Sequence, residues 1–102
     1  MASGKDYLAY ILEQLSGLDD LRYRPMMGEY LLYYQGKLVG GIYDDRLLVK
    51  PTPSARSLLP EAPLALPYDG AKEMLLVEET DDREPLAALV TAVAADLSAP
   101  KR

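Results

Sequence analysis

The residues that could do chemistry in this 102-residue chain are carboxylates, hydroxyls and basic groups, because the sequence contains no His and no Cys. Their absence excludes a Cys/His zinc site, a thiol nucleophile and a Ser-His or Cys-His catalytic pair. A lysine could activate a serine instead, but the sequence has no Ser-x-x-Lys motif. We therefore expect no catalytic residue and no cofactor, in a protein that is not an enzyme.

Three aspartate pairs are candidates for metal or acid–base chemistry: Asp19-Asp20, Asp44-Asp45 and Asp81-Asp82. Paired carboxylates can hold a metal ion or divide the acid and base roles. Each pair, however, lies at a predicted turn or helix start, where Asp is favoured for local hydrogen bonds. No pair has the spacing of a calcium loop, so the pairs predict turns and caps, and we expect no metal site.

Five basic side chains could form a patch: Arg22, Arg24, Arg46, Lys50 and Arg56. Arg22 and Arg24 share a strand face, and Lys50 would join them if the third predicted strand returns alongside. Such a patch could bind an acidic partner, a phosphate or, weakly, a nucleic acid. The alternative is ion pairing on a solvated face. The net charge is −5 and the acidic excess falls in residues 61–102, so direct nucleic-acid binding is disfavoured.

The tyrosine-rich strands carry apolar side chains on both faces. Alternation puts Tyr30 and Tyr34 on one face and Leu31 and Tyr33 on the other. A sheet covered by helices on one side only should have one polar face. We therefore expect a partner surface, most simply for a second copy in a homodimer, with candidates Tyr30, Leu31, Tyr33, Tyr34 and Tyr43. The alternative is that the hydroxyls reach water and scattered aliphatic residues are tolerated.

The periodicity of the apolar residues predicts the order α-β-β-β-α-β-β-α for the elements that position these side chains. Helices are predicted at 6–15, 54–59 and 83–97, and strands at 22–34, 38–43, 46–50, 64–68 and 73–78. We expect the first strand to be bent near Met26-Met27-Gly28, and Ser54 to cap the second helix. The chain should form a single two-layer α+β domain over 1–102, with a core of 6–97 and a frayed tail at 98–102.

Several segments resemble, in order and spacing, the N-terminal domain of the TfoX/Sxy competence-regulator family. Arg24-Pro25-Met26-Met27-Gly28 is similar to the family's Arg-x-Met-Phe-Gly motif, and Gln35-Gly36-Lys37 to its turn ending in Gly-Lys. A strand ending at Lys50, Pro67-Tyr68 and the Met74 strand follow in the expected order. The likeness covers about residues 6–97. The chain departs from the family pattern in having Met27 in place of the usual Phe, and Glu29-Tyr30-Leu31 in place of a glycine-containing run.

The resemblance implies an α-β(3)-α-β(2)-α, secretion-chaperone-like fold with an antiparallel five-stranded sheet, in agreement with the predicted order of elements. It also implies a role in promoting competence-gene transcription alongside a catabolite-activator-type DNA-binding protein. It carries over no catalytic residues. Full-length regulators have a second, C-terminal helical domain, so a chain ending at Arg102 is expected to be a stand-alone module.

Three functions follow as hypotheses. The first is a non-enzymatic protein-interaction module, homodimeric or bound to a transcription regulator. The second is a weak nucleic-acid binder that uses the basic patch. The third is a small-ligand-binding domain with a cleft near Gly40-Gly41 and the proline-rich stretch Pro51–Pro67, since paired glycines in a strand indicate a bulge or a close approach, here beneath a tyrosine. The lack of a signal-peptide core, of a membrane-length apolar run and of Cys favours a cytoplasmic protein.

Overall fold

A computed structural model describes residues 4–98 and confirms the α+β class, with three helices and an antiparallel sheet in this part of the chain. The elements are α1 (Lys5–Gln14), β1 (Leu21–Met26), β2 (Glu29–Tyr34), β3 (Lys37–Ile42), β4 (Leu47–Val49), α2 (Pro53–Leu58), β5 (Leu64–Ala65), β6 (Met74–Val77) and α3 (Arg83–Ser98). The strand order is β1-β2-β3-β4-β6-β5, with antiparallel neighbours throughout. Of the tail predicted at 98–102, residues 99–102 lie outside the described residues.

The described sheet has six strands, and the prediction of five was wrong at its first strand. The segment predicted as one bent strand is a hairpin, in which β1 and β2 pair from Leu21 opposite Tyr34 to Met26 opposite Glu29. Met27 and Gly28 turn the chain with φ angles of 51° and 87°. Two successive positive φ angles match a type I′ turn, whose twist suits two adjacent strands. The expected bend is therefore a full reversal.

Two further turns of the same kind continue the chain into a four-stranded meander. Gln35-Gly36 joins β2 to β3 and Asp44-Asp45 joins β3 to β4, again with positive φ angles. The backbones of Tyr43 and Arg46 exchange two hydrogen bonds of 2.9 and 3.1 Å around the second of these turns. The prediction that Asp44-Asp45 is a turn is thus confirmed.

The helices cover one face of the sheet, which we call the inner face. From the strands its core takes Leu32, Val39, Ile42, Leu47, Val49, Leu75 and Val77, and from the helices mainly Leu8, Ile11, Leu15, Leu86, Leu89, Val90 and Val93. Fully burying an aliphatic side chain of this size contributes about 1.5–3 kcal/mol, so this layer supplies most of the stabilisation. We call the opposite face the outer face.

Helix α2 begins differently from the prediction. Thr52, not Ser54, is its N-cap, and the Thr52 hydroxyl accepts a 3.3 Å hydrogen bond from the Ala55 N–H. Pro53 follows at the first helical position, where its fixed φ angle suits a helix and the missing N–H costs nothing. Ser54 is therefore already inside the helix, and its backbone N–H and hydroxyl donate instead to Asp96 of α3.

Candidate functional site

The β1–β2 hairpin presents a mixed basic and apolar surface on the outer face of the sheet. In the strand register Arg22 lies opposite Tyr33 and Arg24 opposite Leu31, so these four side chains share one face. The arginines are exposed, and Leu31 and Tyr33 are half-buried. We call these four residues, together with Met27 at the tip, the hairpin surface.

Met27 is the unusual member of the hairpin surface. Its side chain is 96% exposed, and its φ of 51° lies in the left-handed region, which residues other than Gly, Asn and Asp seldom adopt. At the first position of the other two turns the chain has polar residues, Gln35 and Asp44. Neither burial nor turn geometry accounts for a methionine here. A flexible, polarizable thioether is well suited to contact with another molecule.

Sequence reasoning missed Met27 because it treated Pro25 and Gly28 as a bulge within one strand. The available signal was the Met27-Gly28 pair itself, since the six-residue segments on either side are rich in Tyr and Leu. Two residues with Gly second, between two such runs, are a hairpin pattern even when the first is not Asn or Asp.

The charges of the hairpin surface are only partly compensated. The Arg22 guanidinium contacts the Asp20 carboxylate at 3.1 Å, with both side chains well exposed. Arg24 has no ion-pair or hydrogen-bond partner for its side chain within residues 4–98. The Glu29 carboxylate accepts a 3.1 Å hydrogen bond from the Asp44 N–H, which holds it toward the β3–β4 turn. An acidic chain thus presents a locally basic hairpin.

The structure separates the five predicted partner-surface residues. Tyr30 and Tyr34 pack against the inner core, while Tyr43 is on the outer side but only 5% exposed. Leu31 and Tyr33 alone of the five share the accessible outer face of the hairpin. Strand alternation predicted correctly which side chains of β2 lie on each face of the sheet. It did not predict that Tyr43 is buried.

The five predicted basic residues do not form one patch. Lys50 follows β4, and β2 and β3 lie between that strand and the arginines of β1. At ~4.8 Å per strand this is a separation of roughly 14 Å between backbones. Lys50 was expected to join Arg22 and Arg24 only if its strand lay alongside theirs, and this condition is not met because two strands lie between β1 and β4.

Arg46 and Arg56 donate side-chain hydrogen bonds to backbone carbonyls of this chain. The Arg46 guanidinium donates to the Tyr43 carbonyl at 3.1 Å and to the Leu66 carbonyl at 3.2 Å, which ties the β3–β4 turn to the segment after β5. Arg56 Nε donates to the Pro51 carbonyl at 3.2 Å. These two arginines therefore position backbone segments around the second feature of the outer face.

That second feature is a groove of about 520 Å³ beside β3 and β4. Its walls include Pro51, Pro67, Tyr43 and Tyr68. The two tyrosine rings lie 6.3 Å apart between centroids, at 55° to each other. Burial is the main cause that raises the pKa of the Tyr43 hydroxyl, and the neighbouring Tyr68 adds to it.

The paired glycines make this arrangement possible. A Cβ on Gly41 would lie 2.7 Å from the Tyr43 ring and 2.7 Å from the Tyr30 carbonyl oxygen. A Cβ on Gly40 would collide with the backbone of β4, 2.8 Å from the Val49 Cα. The predicted close approach, with packing beneath a tyrosine, is confirmed at Gly41.

Within residues 4–98 no three or more acidic side chains are grouped so that they could hold a metal ion. No helix in the same range has the length and apolar character needed to cross a membrane.

Comparison with known proteins adds two likenesses. Residues 13–94 match the family model of the TfoX N-terminal domain. A curated relative from Spirochaeta aurantia, described as an uncharacterized 12.7 kDa protein in the trpE 5′ region, is 34% identical over 102 residues, with 99% of this chain and 89% of the relative covered. No solved structure matches the chain.

Proposed function

The chain belongs to the TfoX N-terminal domain family, and on that premise we propose that it is a non-enzymatic regulatory module that binds a protein partner through the hairpin surface. The observation that carries the proposal is Met27, an apolar side chain 96% exposed at the tip of a turn that disfavours it. Gln35 and Asp44 have the same backbone conformation but polar side chains, so the exposed apolar side chain of Met27, and not the turn alone, carries the proposal. The proposed setting is the family's role in competence-gene transcription, with a transcription regulator as the partner.

The hairpin surface specifies the chemistry of the partner. A methionine buried in a partner's pocket contributes about 1.5–3 kcal/mol, and such buried anchors carry most of the energy of an interface. Arg24, without an ionic partner among residues 4–98, lies beside the apolar Leu31 and favours a carboxylate from outside. We therefore propose a partner with an apolar pocket rimmed by acidic side chains, and expect the charges to set the association rate more than the affinity.

A second copy of the chain fits the hairpin surface less well than an acidic partner. In a two-fold contact the same patch meets itself, which would bring the Arg22 and Arg24 guanidinium groups of both copies together. Like charges facing each other across an interface oppose association. The homodimer expected from the sequence stays a prediction, which sedimentation equilibrium of the purified chain measures directly.

Affinity capture from a lysate of the host, with nuclease treatment and mass spectrometry, tests the proposal. The tagged chain should retain a nuclease-resistant protein, and Met27→Asn and Arg24→Glu should each lose it. Lys5→Glu makes the same charge change as Arg24→Glu on α1, which lies on the inner side of the sheet, opposite the hairpin surface, and should retain the partner. Retention by both hairpin variants, or loss of all captured material on nuclease treatment, would contradict the proposal.

A further inference from the structure

The groove beside β3 and β4 has the volume of a small-molecule site. Its volume of about 520 Å³ lies within the roughly 300–1,000 Å³ of typical ligand pockets. Tyr43 forms a rigid wall, since its ring is buried and held against Gly41. Tyr68, 57% exposed, stands at 6.3 Å from it as the accessible part of that wall.

The aromatic and proline rings that line the groove favour a flat, apolar ligand. Pro51 and Pro67 add two rigid rings to the lining of the groove, so little side-chain freedom is lost when a ligand enters. Aromatic rings pack well against such surfaces in offset or edge-to-face arrangements. An aromatic group is therefore the ligand moiety that this lining accommodates best.

Charge at the groove favours an anion. Lys50 and Lys72 both line it, and within residues 4–98 neither side chain has an ion-pair or hydrogen-bond partner. Glu73 is the one carboxylate among the lining residues of the described groove. Two ammonium groups against one carboxylate leave a net positive charge of one in a chain whose net charge is −5, which matches a single negative charge on the ligand.

We propose that this groove binds a small aromatic monoanion, such as an aromatic carboxylate or sulfonate, with its ring against Tyr43 and Tyr68 and its charge between Lys50 and Lys72. The groove lies toward the β4 side of the outer face and the hairpin surface at the β1 edge. This binding activity is thus additional to the proposed protein contact, and either can fail without the other.

A titration followed by amide NMR, with naphthalene-2-sulfonate as the probe, tests the proposal. We expect saturable shifts at groove amides such as those of Lys50, Tyr68 and Ala71, and at most small ones at Leu12 and Tyr23. The neutral naphthalene-2-sulfonamide has the same ring without the charge and should bind about tenfold more weakly, because it loses both ion pairs. Lys50→Gln and Lys72→Gln should each weaken the sulfonate by about three- to fivefold, because each removes one partly exposed ion pair.

Lys5→Gln is the matched control: it removes one positive charge at the start of α1 and should leave sulfonate binding unchanged. The spectra of the free variants report whether the fold is retained, and Lys72, which is exposed, gives a variant with little structural risk. Absence of saturable groove shifts would overturn the proposal. Equal affinity for the sulfonamide, or no effect of either groove lysine, would overturn it as well.

Discussion

The carboxylate of Asp96, near the end of α3, accepts two hydrogen bonds from Ser54 at the start of α2, one from the backbone N–H at 2.8 Å and one from the hydroxyl at 2.9 Å. The backbone N–H of Ser54 is the main cause that holds the pKa of Asp96 below its usual range, followed by the hydroxyls of Thr52 and Ser54. This contact fixes α2 on α3 and, with it, the Pro51-Thr52 edge of the groove.

The contact predicts an acid-sensitive part of the stability. A depressed carboxylate pKa adds stability that is fully present above the unfolded-state pKa of about 3.9 and is lost as the pH falls through the lower folded-state value. Urea denaturation of the wild type and Asp96→Asn over this pH range measures it. The difference in free energy of unfolding between them should shrink as the pH falls through that window. A difference that stays constant with pH would contradict the prediction.

Ser54→Ala removes one of the two Ser54 donors to Asp96. The free energy of unfolding of this variant should therefore depend less on pH than that of the wild type.

The close approaches at the paired glycines predict a large cost for a single methyl group. Gly41→Ala should lower the free energy of unfolding by about 1–3 kcal/mol, as overpacking does in a well-packed interior, because the new Cβ meets both Tyr43 and the β2 backbone. Urea denaturation gives the value. Gly17→Ala is the control, since nothing lies within 4 Å of its added Cβ, and it should stay within ~0.5 kcal/mol of wild type.

The buried Tyr43 predicts late titration at alkaline pH. Burial raises the pKa of its hydroxyl, so its stabilising effect is present below the ordinary tyrosine pKa of about 10 and is lost as the pH rises through the higher folded-state value. A titration of the folded protein followed by tyrosinate absorbance should show phenols that ionise above the ordinary tyrosine pKa. Tyr43→Phe should remove one of these late-ionising phenols. Loss of a phenol from the early part of the titration would contradict the assignment.

A replacement of Met27 that suits the turn is predicted to raise the stability of the fold and to weaken partner binding. Asn is favoured before Gly in a type I′ turn, so Met27→Asn should raise the free energy of unfolding by about 0.5–1 kcal/mol, a usual gain for such a replacement, while partner capture is lost. Gln35→Asn makes the corresponding change in the next turn, where Gly36 follows, and should stabilise the fold yet retain the partner. Equal capture by the two variants would contradict a role for the hairpin tip.

The elements were largely predictable from the sequence because their signals are local. The 3.6-residue stripe of Leu8, Ile11, Leu12 and Leu15 predicted α1; three of the four are buried, and Leu12 is partly buried against the core. The β1–β2 hairpin was missed because Met27-Gly28 lacks the Asn or Asp that usually marks a type I′ turn. One missed turn changed the strand count from five to six.

The site was less predictable, because it depends on which strands become neighbours. Arg22, Arg24 and Lys50 look equivalent along the chain, but the strand order puts two on the hairpin and one at the groove. The burial of Tyr43 depends on the segment that carries Tyr68, 25 positions later in the sequence. Local patterns carry no information on such contacts.

The most direct test of the hairpin surface is photocrosslinking in living host cells, with a benzophenone amino acid placed at position 27 or, for comparison, at position 66. Leu66 is also an exposed apolar residue, 46% accessible, but lies beyond β5, the edge strand opposite β1. We predict one dominant adduct with a different protein from position 27, and none from position 66. No adduct at position 27, the same adducts from both positions, or a dominant adduct of two copies of this chain would contradict the account.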